Sequence, residues 1–172
     1  METNRKSWAA QLAEEQKKHE ESQRLKLELA SVRNRMVSDK LPELWEELVS
    51  DFRASVKDYN DSFQNDPHRA FRFNHFEPEL MRVDRAVIPL RQLDVRLDRA
   101  RRAVYFTSDS PSISGSIAIT CDESGNVTFF ESRPITAQEV CQSILRPFLA
   151  NSKPSHAVVY CEDRTPDQVE LN

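Results

Sequence analysis

Apolar side chains recur at Leu25, Leu29, Val32 and Met36, in steps of four, three and four. That spacing predicts one apolar seam along a helix. Ahead of it, from Ser7 to Gln23, the only sizeable apolar residues are Trp8 and Leu12. Glu, Lys, Gln and Ala fill the rest, so residues 5–36 read as a long, charged helical arm. A break is expected at Val37–Pro42: Ser38 or Asp39 can cap a new helix, and Pro42 suits a first turn. The second helix is expected to end near Gln64. Its stripe, Leu41, Leu44, Trp45, Leu48, Val49, Phe52, Val56, Tyr59 and Phe63, is wide enough to face a core.

After Asn65-Asp66-Pro67 the period changes to two. Phe71, Phe73 and His75 alternate with polar residues, as do Leu93, Val95 and Leu97. Met81, Val83 and the run Ala86–Leu90 suggest another extended piece, and Ala103–Thr107 is rich in strand formers. Ser116–Cys121 and Asn126–Phe130 flank Asp122-Glu123-Ser124-Gly125, a hairpin turn with glycine available for positive φ. Thr136-Ala137-Gln138-Glu139 is a capping box opening a last helix, whose buried face is Val140, Ile144, Leu145 and Phe148.

The expected class is α+β: two N-terminal helices, an antiparallel meander of about four to six strands, and a C-terminal helix packed on the sheet. Residues 1–37 form the arm and 38–151 the α+β domain. Residues 152–172 form a polar tail in which Ala157–Tyr160 offer one edge strand.

Composition narrows the function. The 172 residues carry a net charge of -4, which argues against a general nucleic-acid or anionic-membrane binder. Only two glycines, Gly115 and Gly125, are present, too few for a phosphate-cradling P-loop or dinucleotide fingerprint. Cys121, Cys141 and Cys161 lack metal-ligand spacing and read as reduced thiols. The first residues have no apolar core of a signal peptide, and no run is long enough to span a membrane, so the cytoplasm is the expected location. No cofactor is indicated, and the sequence leans away from an enzyme: His156 with Cys161 is the one close Cys/His pair, and it falls in the polar tail.

Two candidate sites remain. The seam Leu25, Leu29, Val32 and Met36 is narrow, like that of a coiled coil, and its expected role is self-association into a homodimer, or docking of another protein. This makes a non-enzymatic interaction or adaptor module the leading reading. The competing arrangement folds the first helix back on the second as an αα-hairpin. The other candidate lies in residues 66–105, with nine arginines, no lysine and six acids. Arg96, Arg99, Arg101 and Arg102 could form an anion- or nucleic-acid-binding sheet face, because the guanidinium fork suits phosphate. Alternation places Arg96 and Arg102 on the exposed face.

Overall fold

A single helix, α1 (Trp8–Ser62), runs for 55 residues through the expected break. The computed structural model describes residues 7–150 apart from 65, 86, 88, 89 and 111. Pro42 lies inside α1, exposed, and the helix passes it. An interior proline forfeits one main-chain hydrogen bond and costs about 3 kcal/mol. Val37 and Leu41 on one side of it, and Leu44 and Trp45 on the other, are all buried. Each such side chain contributes roughly 1.5–3 kcal/mol, so burial on both sides outweighs the local penalty. The two-helix expectation and its hairpin variant are therefore both corrected.

The sheet has seven strands, not four to six: β1 (Arg72–Glu77), β2 (Leu80–Arg85), β3 (Arg91–Asp98), β4 (Ala103–Ser108), β5 (Ser114–Cys121), β6 (Val127–Phe130) and β7 (Pro134–Ile135). They pair antiparallel in chain order, a pure meander. The unforeseen strand is β7, two residues that extend the sheet beside β6 and lead into α2 (Ala137–Ala150). Thr136 Oγ1 accepts the Glu139 amide at 3.2 Å, while the Glu139 carboxylate accepts the Thr136 amide at 2.8 Å. That reciprocal pair sets the start of α2. The expected edge strand at Ala157–Tyr160 lies outside the described residues.

Alternation builds one core-facing side of the sheet. Met81 and Val95 are cross-strand partners, as are Val83 and Leu93, Val104 and Ile117, and Ile119 and Phe129. All are buried. Leu41, Leu48, Phe52 and Val56 of α1 and Val140, Ile144 and Phe148 of α2 complete the same core. The two helices meet where Ser55 Oγ lies 3.5 Å from Cys141 Sγ. His75 faces inward, its ring 6.4 Å from that of Trp45.

Candidate functional site

Every residue from Ser7 to Met36 is exposed, and Val37 is the first buried position of α1. The 29 helical residues before Val37 amount to about 43 Å of helix at 1.5 Å per residue. A helix of this composition is marginal alone, but here it continues a segment already held by the core, so nucleation is supplied. Exposed pairs such as Glu14 with Lys18 at 3.9 Å, and Arg24 with Glu28 at 3.6 Å, add little.

The seam is bare. Leu25, Leu29, Val32 and Met36 are 58, 51, 55 and 38 % exposed. At about 100° per residue, these four lie roughly half a turn from the stripe Leu41–Val56, so they do not extend the core face. Met36 touches the domain at one point, the β5–β6 turn: a Cβ on Gly125 would come within 2.9 Å of the Met36 methyl carbon. Gly125 has φ +86°, and Asp122 closes the turn by accepting the Asn126 amide at 2.8 Å. No other helix runs beside the arm among the described residues, since α2 packs around Ser55. The coiled-coil expectation is thus corrected, and with it goes the structural support for a homo-oligomer.

The four candidate arginines do not converge on one face. Arg96 lies on the outer face of β3, between Leu80 and Tyr105 on the neighbouring strands, with no ion-pair partner among the described residues. Arg99 is held by Glu79 at 2.5 Å. Arg101 is 3.8 Å from Asp98 and stacks on the Tyr105 ring, 5.9 Å from its centroid. Arg102 has φ +51°, which turns it to the helix side, where its guanidinium donates to Asn34 Oδ1 of α1. Elsewhere on the outer face Arg72 pairs with Asp84, and Arg82 with Asp94 through two bonds at 2.6 and 2.9 Å. The arginine-rich segment is thus largely a ladder of cross-strand ion pairs.

Arg102 joins a different set of residues. Lys26, Leu29, Arg33 and Asn34 of the arm, with Arg102, Ile119 and Cys121 of the sheet, line an open groove of about 380 Å³. Three cations meet there and no carboxylate lines it. The sequence hid this groove because Lys26 and Arg33 read as ordinary solvated helix charges. A second cationic pair was also missed: Arg85, 2 % exposed, is the cross-strand partner of Arg91. Arg85 lies against the Phe71 ring and Arg91 against the Phe148 ring, at 5.7 and 5.2 Å, while Arg91 also meets Asp109 at 3.1 Å. Arg91 thus sits by the last turn of α2, where the helix dipole favours a cation. The inward alternation Met81, Val83, Arg85 was the signal for it.

Among the described residues no cluster of His, Cys, Asp or Glu could hold a metal, and no helix is long and apolar enough to cross a membrane. Cys121 is half-buried and Cys141 buried, both as free thiols. The pair His156 and Cys161 lies outside the described residues. Compared with protein-family models, curated proteins and solved structures, the chain matches none.

Proposed function

We propose that the protein is a non-enzymatic interaction module that docks another protein chain through its helical arm, in the cytoplasm. The observation that supports this is the seam Leu25, Leu29, Val32 and Met36: four apolar side chains on one helix face, exposed, and turned off the core stripe. A contiguous apolar strip on an exposed helix face is stabilised when a partner covers it, and such strips mark association sites.

Among the described residues the seam meets its own domain at Met36, against the β5–β6 turn, and at Leu29, on the lining of the groove, and all four side chains stay exposed, so function and stability are separable. Leu29→Glu puts a charge in the seam at an exposed site and leaves folding stability within about 0.5 kcal/mol. The test is affinity capture from the native cell with the intact chain and with Leu29→Glu, both checked for equal melting temperature. We expect a protein retained by the first and lost from the second. Identical captured sets would remove the reading.

A further inference from the structure

The charges beside the seam identify the partner's chemistry, an inference that rests on the arm being the docking element. At about 100° per residue, Lys26 and Arg33 flank the seam on the side of the sheet, and Arg24, Glu28 and Arg35 flank it on the other. Arg24 is engaged with Glu28, 3.6 Å away. The sheet-side flank is purely cationic, and the fold adds Arg102 to it across the groove. Asn34 holds the Arg102 guanidinium there.

We infer that the arm receives an acidic amphipathic helix, whose apolar stripe covers the seam and whose carboxylates enter the groove beside Lys26, Arg33 and Arg102. Flanking charges of this kind choose partners more than they add affinity, because like charges brought together are rejected. A second copy of the chain fits poorly on two counts. Paired seam to seam and antiparallel, the two cationic flanks oppose each other; paired parallel, each faces Arg24, Glu28 and Arg35 of the other copy, which is still net positive. Shifted so that the acidic front of one arm (Glu14, Glu15, Glu20, Glu21) meets the basic rear of the other, the seam is left uncovered. Residues 14–24 contain no apolar side chain. A nucleic acid would answer the cations but not the leucines.

The experiment uses the full chain and fluorescence anisotropy with three probes. One is a synthetic amphipathic helix of about 20 residues, leucine at the seam spacing and glutamate on both flanks. The second replaces each glutamate by lysine. The third is a single-stranded oligonucleotide of mixed sequence. We expect the glutamate probe to bind at least tenfold more tightly than the other two, and to weaken as salt is raised. The exposed double substitution Lys26→Glu with Arg33→Glu should cost the glutamate probe at least tenfold and improve binding of the lysine probe. Leu29→Glu should abolish binding of both peptides. Equal binding of the two peptides by the intact chain overturns the inference and leaves the arm as a docking element. So does a dimer in light scattering that Leu29→Glu dissolves, which would name the second copy. Preference for the oligonucleotide overturns it as well. If no probe binds and Leu29→Glu loses nothing from the cell capture, the arm is not the docking element and both readings fall.

Discussion

Asn60, in the last turn of α1, holds both main-chain groups of Phe71 at the entry to β1. Its Nδ2 donates to the Phe71 carbonyl at 2.8 Å, and its Oδ1 accepts the Phe71 amide at 2.9 Å. A side-chain amide thereby takes the place of a neighbouring strand where the chain reverses from helix to sheet. The Phe71 ring is fixed at the same point, 5.6 Å from Tyr59 and 5.5 Å from Phe148.

Asn60→Ala removes both bonds and leaves an N–H and a C=O of a buried residue without their partner. Each such group costs roughly 1–3 kcal/mol, so the variant should lose about 2–4 kcal/mol in urea denaturation. A loss near 0.5 kcal/mol, as at ordinary surface sites, would mean that water replaces the amide.

Pro42 gives the opposite sign. It is exposed, and alanine there restores the missing hydrogen bond of a helix that is already formed. Pro42→Ala should stabilise the chain, by up to about 3 kcal/mol. Part of that gain is lost because proline also restricts the unfolded chain. A destabilised variant would show that the helix relies on the proline ring at this point.

The same residue shows where sequence reading stopped. The stripe from Leu41 to Val56 was legible because burial imposes a 3.6-residue period, and the alternating strands because pleating imposes a period of two. Pro42 was read by local preference alone, whereas core contacts on both sides decide its place. Pro134–Ile135 is too short to show any period. Arg102 escapes alternation because φ +51° rotates it out of the strand pattern. The groove was illegible for another reason: the crossing of α1 over β5 brings Lys26 and Arg33 to Arg102, and no local pattern encodes a crossing.

Thr136 and Glu139 make a prediction about acid. The Thr136 amide, and then the Arg133 guanidinium at 2.6 Å, hold the Glu139 carboxyl below its ordinary pKa. A depressed folded value contributes stability that is present above the ordinary glutamate pKa of about 4.3 and is lost as pH falls through the lowered value. The melting-temperature gap between the intact chain and Glu139→Gln should therefore be widest near neutral pH and close in acid. A gap independent of pH would contradict this. Thr136→Ala should cost about 1 kcal/mol at neutral pH, through the lost cap.

Cys141 makes the complementary prediction at high pH. Burial pushes its thiol from an ordinary value of 9.0 up to about 11, against the hydrogen bond with Ser55, which favours the thiolate. Between those values the unfolded chain has released the proton and the folded chain still holds it. The unfolded state then binds fewer protons, so raising the pH favours unfolding. The contribution amounts to at most about 1.4 kcal/mol per pH unit across this window, and levels off above it. Other groups titrate in the same range, so the comparison is with Cys141→Ala, which removes this slope and leaves theirs. The stability advantage of the intact chain over Cys141→Ala should shrink steadily from about pH 9 to pH 11. Alkylation followed by peptide mass mapping provides an independent check: at neutral pH half-buried Cys121 should be modified in the native chain, and Cys141 only after denaturant is added. Parallel stability curves, or early labelling of Cys141, would show that the packing of α2 on Ser55 is too loose to keep the thiol protonated.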